Sequence, residues 1–286
     1  MLIEARHLSY TYMPGTPFQI QALKDINLTV HKGEFVGVIG ETGSGKTTLI
    51  QHFNGLLKPT EGELLVNGEN VWTEGTGLRQ LRSRIALLFQ FPEHQLFEET
   101  VFKDIAFGPR NMGLEGSEVE KRVRYSMELM GLKYSLYKDR SPFSLSGGEK
   151  RRTAMAGIMA MDPEVIILDE PAAGMDPLGR RKFMEKICML HRDEKITVIL
   201  VTHNMEEVSR LADRLFVLSQ GKMVLEGKPS LVFNSPDTIR EAGLDIPSLT
   251  YLLTRMRESG KEIRTDIFTV EEAGEEILRF CGEANR

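Results

Sequence analysis

Nine residues, GETGSGKTT at positions 40 to 48, constrain the fold of this chain more than any other feature. Apolar runs stand on both sides, so a glycine-rich turn lies between a predicted strand and a predicted helix. Gly40, Gly45, Lys46 and Thr47 match the pattern G-x-x-x-x-G-K-[ST], whose glycines let successive backbone N–H groups surround phosphate oxygens. A turn that merely joins strand to helix is the weaker interpretation, because both flanking elements are those that a phosphate-binding loop needs.

The same loop predicts the contacts of a nucleoside triphosphate. Lys46 is placed to reach the β- and γ-phosphates, and the hydroxyl of Thr47 is placed to bind Mg²⁺. The nucleotide-binding residues predicted here are Gly40, Glu41, Thr42, Gly43, Ser44, Gly45, Lys46, Thr47 and Thr48.

Four short apolar segments predict strands buried on both faces of a parallel sheet, with helices on either side. They are FVGVIG (35–40), IALLFQ (85–90), VIILDE (165–170) and TVILVTH (197–203). Each ends in a flexible or polar group: Gly40, Gln90, the pair Asp169 and Glu170, and His203. Because ligands bind at the carboxyl ends of parallel strands, the four endings predict one composite site.

The acidic pair at the end of the third segment predicts two separate tasks. Consecutive residues at a strand end point in different directions. Beside a phosphate-binding loop, we expect one of Asp169 and Glu170 to bind the metal ion and the other to act on the attacking water. We expect Glu170 to be this general base. Alone, such a pair would be weak evidence, since it can simply cap the following loop.

A second phosphate-seeking element is predicted in LSGGEKRRTAMAGIMAM, residues 145–161. Ser146 is a good N-cap, and Gly147 and Gly148 leave backbone N–H groups uncovered at the start of a helix. A helix N-terminus attracts anions. Taken alone, the segment would be an ordinary capped helix.

Composition limits the classes of function. A chain of 286 residues suffices for one large α/β domain, or for one domain with a small appendage. A net charge of −5 and a pI near 5.8 argue against nucleic acid as the main partner. Two isolated cysteines, Cys188 and Cys281, favour a reduced compartment. With no apolar run of membrane-spanning length and no signal-peptide pattern, we expect a membrane to matter only through another subunit.

Together the motifs resemble the nucleotide-binding subunit of an ATP-binding cassette (ABC) transporter. GETGSGKTT, Gln90, LSGGE, VIILDE, AGMD and VTH carry the resemblance, which covers about residues 2 to 228. It implies an α/β P-loop cassette with a mainly parallel core sheet, an antiparallel β subdomain, and a helical subdomain at about 91–160. It also implies ATP and Mg²⁺ as cofactors, and two cassettes joined head to tail, each ATP lying between one P-loop and the partner's LSGG helix.

The resemblance assigns a role to each matching position. Catalytic roles fall to Glu170, His203 and Gln90, and metal binding falls to Thr47, Gln90 and Asp169. Further nucleotide contacts are expected from Leu145, Ser146, Gly147, Gly148 and, in the D-loop at 173–176, Asp176. Tyr12 is expected to stack on adenine, with Tyr10 as a rival.

The segment FQFPEHQLFEETVFKDIAFG, residues 89–108, holds five phenylalanines. We predict a helix from Thr100, stopped by Gly108-Pro109, with Phe97, Val101 and Ile105 on one face. At least half of the phenylalanines are expected to pack inside the helical subdomain. The rest would form an exposed apolar patch that marks a partner surface.

The sequence of this segment, together with SPFSLSGGEKRRTAMAG and EPAAGMDP, is similar to the sequences of the ATPases of energy-coupling factor (ECF) and cobalt-type importers. It is most similar to that of their second, or A-prime, ATPase. The resemblance implies uptake of a vitamin or trace metal, driven from the cytoplasmic face of the cell membrane by a peripheral subunit. The implied partners are a paralogous ATPase, a transmembrane coupling protein that docks near Phe91–Gly108, and exchangeable substrate-binding membrane subunits. Both a heterodimer, which the resemblance favours, and a homodimer stay open.

The chain divides at residue 228 in this interpretation. Residues 1–228 form the ABC ATP-binding domain, and residues 229–286 form a helical appendage. The appendage is expected either to hold two ATPase subunits together or to pack on its own chain. Within the preceding helical subdomain, Ser117 and Glu120 predict a capping box and Gly131 a helix end.

The sequence disfavours two other functions relative to an importer subunit. A soluble ABC ATPase acting on nucleic acid or ribosomes is disfavoured by the acidic pI, the single cassette and the absence of long insertions. A P-loop kinase is disfavoured because an LSGG helix and a histidine-ended strand have no role in phosphorylating a small acceptor.

Overall fold

The computed structural model describes residues 2–73 and 77–283, apart from the side chains of 281–283. Its strands are β1 (Ile3–Tyr12), β2 (Ile20–Val30), β3 (Phe35–Gly40), β4 (Glu61–Val66), β5 (Glu69–Asn70), β6 (Ile85–Leu88), β7 (Val165–Asp169), β8 (Thr197–Val201), β9 (Arg214–Ser219) and β10 (Lys222–Gly227). Its helices are α1 (Lys46–Phe53), α2 (Leu78–Arg84), α3 (Val101–Asn111), α4 (Gly116–Leu129), α5 (Tyr134–Tyr137), α6 (Gly147–Met159), α7 (Pro177–Glu194), α8 (Met205–Leu211), α9 (Pro229–Phe233), α10 (Pro236–Glu241), α11 (Ser248–Glu258) and α12 (Val270–Glu283). Two 3-10 turns span Pro92–Gln95 and Pro142–Ser144.

The strands form two sheets. One has six strands in the order β10-β9-β3-β8-β7-β6, parallel except for the antiparallel edge strand β10. The other is antiparallel, in the order β2-β1-β4-β5. The four predicted strands are the neighbours β3, β8, β7 and β6, so the predicted parallel core and antiparallel subdomain are confirmed.

Successive residues of the central strands enter different cores, as the unbroken apolar runs require. On β7, Ile166 and Leu168 pack among the helices of one core, whereas Val165 and Ile167 pack in the second. The second core is closed by β1, β2 and β4 together with α1 and Leu81 of α2, so helices lie on both faces as predicted, and an antiparallel sheet also covers the second face. An antiparallel sheet with one apolar face serves equally well to cover a parallel sheet.

Helix α3 continues past the predicted stop at Gly108-Pro109. Pro109 lacks the N–H that would bond the Ile105 carbonyl, yet its ring is buried and the helix runs to Asn111. The end is made instead by Gly113, with φ 89°, where the N–H of Leu114 bonds the Pro109 carbonyl and that of Gly113 bonds the Arg110 carbonyl. This Schellman motif satisfies the last carbonyls, which a proline alone does not do.

The shared face predicted for Phe97, Val101 and Ile105 was wrong. Val101 and Ile105 are fully buried in the helical core, but Phe97 precedes the helix and is exposed. Its ring packs edge-on against that of Phe107, with 4.9 Å between ring centroids. Spacing by four places residues on one face only within a continuous helix.

Helix α4 ends as predicted and begins differently. Gly131, with φ 71°, closes it with bonds to the carbonyls of Glu128 and, through Leu132, Met127. The helix starts at Gly116, so Ser117 lies inside the first turn and forms no capping box. The Glu120 carboxylate accepts instead from Arg124 and Tyr134.

The residues after 228 form two small bodies of packing. Residues of α9, of α10 and of the turn that follows α10 share a core with Ile39 of β3, Met205 and Val208 of α8, and Leu215 and Val217 of β9. These residues are Val232, Phe233, Ile239, Ala242 and Leu244. Helices α11 and α12 form a separate cluster around Leu253. The proposed division at residue 228 stays a prediction, but the first of these bodies packs on the cassette. Across the described residues, no helix combines the length and apolarity needed to cross a bilayer.

Candidate nucleotide-binding and hydrolysis site

The loop between β3 and α1 wraps tightly around its own lysine. The Lys46 ammonium donates to the carbonyls of Gly40 and Glu41, both at 2.8 Å. Gly45, with φ 105°, has no room for a side chain, since a Cβ would lie 2.7 Å from the Ala22 carbonyl oxygen. Burial lowers the pKa of Lys46, against the opposing effect of nearby carboxylates. The cavity beside this cation, which the loop itself lines, fits a phosphate group.

A hydroxyl and a carboxylate suited to Mg²⁺ lie side by side. The Thr47 hydroxyl donates to Asp169 Oδ2 at 3.0 Å, joining the start of α1 to the end of β7. Burial raises the pKa of Asp169, although the hydrogen bond from Thr47 opposes this. Oxygen donors of this kind fit Mg²⁺, which is held in such sites by one or two carboxylates plus substrate phosphates.

Glu170 faces away from its neighbour Asp169. With φ 47° it takes the left-handed conformation, and its Oε1 lies 2.7 Å from His203 Nδ1. His203 follows β8, the next strand of the sheet, and is largely exposed. The expectation that consecutive acids have different partners is therefore met in the geometry, and the turn at Glu170 is its cause.

Gln90 lies at the same edge of the sheet. Strand β6 pairs with β7 through Leu88 and Leu168, so Gln90 follows its strand as Glu170 follows β7. Its side chain is exposed. Its metal-binding and catalytic roles stay predictions.

A cavity of about 440 Å³ opens beside the phosphate loop. Its lining residues are Tyr12, Ile20, Gln21, Ala22, Lys24, Gly43, Gly45, Lys46, Thr47, Thr48, Gln220 and Gly221. Tyr12 is part of this wall, and its hydroxyl lies 3.1 Å from that of Thr48. Tyr10 lies behind Tyr12, packing edge-on against both Tyr12 and His52. Of the two rivals, Tyr12 lines the cavity and Tyr10 does not, and stacking on adenine stays a prediction.

The turn at Gln220 and Gly221 was missed in the sequence. Gly221 donates its N–H to the Ser44 carbonyl at 3.0 Å and accepts from the Lys24 N–H at 2.8 Å, tying the loop to β2. The sequence carries a signal for a hairpin, because SQGK, with its glycine, stands between two apolar runs. In the structure both central residues of this turn have positive φ. Nothing in the local pattern indicates that this hairpin tip reaches the P-loop.

The second phosphate-seeking element lies outside this cavity. Ser146 is the N-cap of α6, and Glu149 completes a capping box by accepting from the Ser146 N–H at 2.8 Å. Hydrogen bonds from Tyr137 and Ser146 lower the pKa of Glu149 to about 2. Gly147 and Gly148 leave the helix start open, and none of the residues 145–148 lines the cavity. An element for anions without a local partner fits binding across a dimer interface.

Asp176, expected to contact nucleotide from the D-loop, caps α7 within the chain. Its Oδ1 accepts from the Gly179 N–H at 2.9 Å. The nucleotide contact itself stays a prediction.

Comparison with known proteins identifies the family. Residues 23–173 match the family model described as ABC transporter. The chain is 51% identical, over the full length of both proteins, to the energy-coupling factor transporter ATP-binding protein EcfA2 of Clostridium acetobutylicum, and 48% identical to that of Clostridium perfringens, again over the full length of both. The chain belongs to the ABC transporter family, among the ECF ATP-binding proteins.

Solved structures of similar ABC cassettes agree with this placement. The protein cbiO1 of Clostridium perfringens, described as part of the ABC transporter complex cbiONQ, superposes with a TM-score of 0.73 and 36% identity, covering 90% of this chain and 97% of that one. The cassette MJ0796, solved as a dimer bound to ADP and Pi, gives 0.71 and 28%, covering 80% and 99%. The predicted resemblance to ECF ATPases is confirmed, and the family is one of ATPases.

Proposed function

We propose that this chain is the ATP-hydrolysing subunit of an ECF-type importer, energising uptake of a vitamin or trace metal ion through membrane partners. The observation that carries the proposal is the meeting, at one edge of one sheet, of Lys46, the Thr47–Asp169 pair and the Glu170–His203 pair. Each part of this set meets a need of phosphoryl transfer. Lys46 supplies positive charge, the Thr47–Asp169 pair supplies oxygen ligands for a metal ion, Glu170 supplies a general base and His203 orients that base.

In the proposed reaction, the chain's own groups divide the work. The backbone N–H groups of residues 40–48 and Lys46 hold the phosphates, and Tyr12 stacks on the adenine ring. Glu170 accepts the proton of the attacking water, while His203 holds the Glu170 carboxylate in place. Thr47, Asp169 and Gln90 would hold Mg²⁺, which would supply positive charge beside the phosphate oxygens.

The proposal includes a second ATPase subunit. The uncovered helix start at 146–148 lies outside the cavity and is assigned to the nucleotide of a partner cassette, most simply a paralogous ATPase. Dimeric cassettes among the similar structures support this arrangement.

A membrane subunit is proposed to dock on an aromatic patch formed by Phe91, Phe97 and Phe107. These side chains are 41%, 57% and 46% exposed, while Phe89 and Phe102 are half-buried, so fewer of the five pack inside than expected. Asp104 accepts hydrogen bonds from the N–H groups of Phe97 and Glu98, each at 2.9 Å, and so fixes the loop segment that bears Phe97. An ordered exposed patch fits the docking of a transmembrane coupling protein, which would place this subunit peripherally at the cytoplasmic face. Substrate choice would lie in exchangeable membrane subunits.

The test is purification of the tagged chain from native membranes in mild detergent, with identification of bound proteins by mass spectrometry. We expect a second ATPase and two kinds of membrane protein. Phe97→Ser with Phe107→Ser should reduce recovery of the membrane proteins about ten-fold, as loss of a central aromatic anchor does, while keeping the second ATPase. The matched control is Leu231→Ser, an exposed apolar side chain on α9 remote from the patch.

Recovery of ribosomes or DNA-bound proteins instead would overturn the transporter proposal. Equal loss of membrane partners in the patch variant and the Leu231→Ser control would overturn the assignment of the docking patch alone.

A further inference from the structure

Arg151, on α6, is a buried cation that joins three segments of the chain. Its side chain is only 6% exposed. It donates to both carboxylate oxygens of Glu93, at 3.1 to 3.3 Å, and to the Ala173 carbonyl at 3.0 Å. Glu93 belongs to the 3-10 turn that follows Gln90, and Ala173 begins the D-loop.

Packing alone does not account for this arginine. Burying a charge is costly, and apolar residues of similar size commonly replace buried ion pairs without loss of stability. The guanidinium is planar, so it can grip a carboxylate with two donors while a third bonds a carbonyl. The arrangement therefore fixes the relative position of three segments with a precision that apolar packing lacks.

The same two loops also approach each other at a second place. Phe91, which has φ 56°, lies near Gly174, which has φ 72°; a Cβ added at Gly174 would come to 4.0 Å from Phe91 Cε1. Phe91 belongs to the aromatic patch, and Gly174 follows Ala173 in the D-loop. The segment that bears Phe91 and Glu93 therefore approaches the D-loop at two places, through the Phe91 ring and through the Glu93–Arg151 pair.

We propose that Arg151 is a positioning residue that couples the docking patch to the D-loop, so that seating of the membrane partner sets the D-loop for hydrolysis. This inference rests on the proposed function. Arg151 is buried and does not line the cavity beside the P-loop, so it acts through Glu93 and Ala173.

The chain offers a closely matched control in Arg214. That side chain is also mostly buried, grips Glu34 with two donors at 2.7 and 2.9 Å, and donates to the Thr29 carbonyl. It also donates to Glu226 at 2.6 Å, so its partners lie on β2, just before β3 and on β10, away from the docking patch and the D-loop. Lysine at either position keeps the charge and loses the two-pronged grip.

The experiment uses the complete transporter purified with its membrane subunits and reconstituted in lipid vesicles. Substrate taken up per ATP hydrolysed is measured for wild type, Arg151→Lys, Glu93→Gln and Arg214→Lys. A purely structural defect lowers the active fraction, and so lowers uptake and hydrolysis together. The uptake-to-hydrolysis ratio is independent of that fraction.

We expect the ratio to fall by about five-fold or more in Arg151→Lys and Glu93→Gln, the lower end of typical coupling effects, and to stay unchanged in Arg214→Lys. An equal ratio in Arg151→Lys and Arg214→Lys, with a coupled wild type, would overturn the inference. A wild-type complex that hydrolyses ATP without any substrate uptake would instead overturn the proposed function.

Discussion

Glu170 shows how one residue's backbone can separate two chemical roles. Its left-handed conformation, with φ 47°, is unfavourable for a side chain that is not glycine. The N–H of Glu170 bonds the Val201 carbonyl of β8 at 3.0 Å, which holds the strained turn. Asp169 can thereby face Thr47 while Glu170 faces His203. Strain of about 1–3 kcal/mol at such a position is typical of functional sites.

Replacing Glu170 with glutamine tests its role as base. Glu170→Gln keeps size and hydrogen bonding but removes the proton acceptor, so ATP binding should persist and turnover should fall about 10²- to 10⁴-fold. The measurements are nucleotide affinity and steady-state hydrolysis. The control is Glu164→Gln, whose carboxylate pairs with Arg84 just before the same strand begins. Comparable turnover in the two variants would refute the assignment.

Alanine substitutions of Tyr12 and Tyr10 should have different effects on ATP affinity and on thermal stability. Loss of an aromatic ring that stacks on a base costs about 1–3 kcal/mol, so Tyr12→Ala should weaken ATP binding by about ten-fold or more with little change in melting temperature. Tyr10 is wedged between Tyr12 and His52, so Tyr10→Ala should chiefly lower the melting temperature. Titration calorimetry and thermal unfolding of both variants decide between them; unchanged affinity in Tyr12→Ala would remove it from the site.

At the scale of elements, the capped start of α6 predicts a pH-dependent stability. The pKa of Glu149 is about 2 in the folded protein, below its ordinary value of 4.5. Its carboxylate therefore stabilises the fold fully above pH 4.5, and this contribution is lost as the pH falls toward 2.

Glu149→Gln should accordingly be less stable than wild type at pH 7, by about 1 kcal/mol or less because the site is exposed to solvent. The difference should shrink steadily as the pH is lowered through 4.5. Denaturant unfolding of both proteins at several pH values measures it. A difference that stays constant down to pH 3 would show that the capping carboxylate is not the cause.

Elements differ in how well the sequence predicts them. The strands could be predicted because their unbroken apolar runs and chemical endings are local signals: β3 was placed at the observed residues, and β6, β7 and β8 within two residues at their ends. The end of α3 was misplaced because a proline rule was applied where Gly113 and tertiary burial decide. The reach of the Gln220–Gly221 turn to the P-loop, and the two partners of Arg151, Glu93 and Ala173, depend on long-range packing that no local pattern encodes.

For the whole molecule, the residues after 228 divide in their dependence on the cassette. Helices α9 and α10 complete a core with Ile39, whereas α11 and α12 mostly enclose their own cluster. Gly243, at the end of α10, lies close enough to Glu41 that a Cβ would be 2.8 Å from its carboxylate. The first part of the appendage thus adjoins the phosphate-binding loop itself.

Two truncations separate these parts. A chain ending at residue 246 keeps the core around Ile39 and should fold and bind ATP, with a modest loss of stability. A chain ending at residue 228 exposes that core, where loss of several buried side chains at about 2–5 kcal/mol each exceeds typical domain stability. Thermal unfolding with and without ATP measures both; equal stability of the two truncations would contradict the assignment of Val232–Leu244 to the cassette core.

The packing of Val232 and Phe233 on Ile39 also bears on how the protein matures on the ribosome. The strand that leads into the phosphate loop is synthesised before this segment, and the core around Ile39 stays incomplete until the segment through Leu244 has emerged. Contacts so distant in sequence form late in folding. We therefore expect nascent chains arrested before this segment emerges not to be retained on immobilised ATP, and chains arrested well beyond it to be retained, so that ATP binding awaits synthesis of the segment through Leu244.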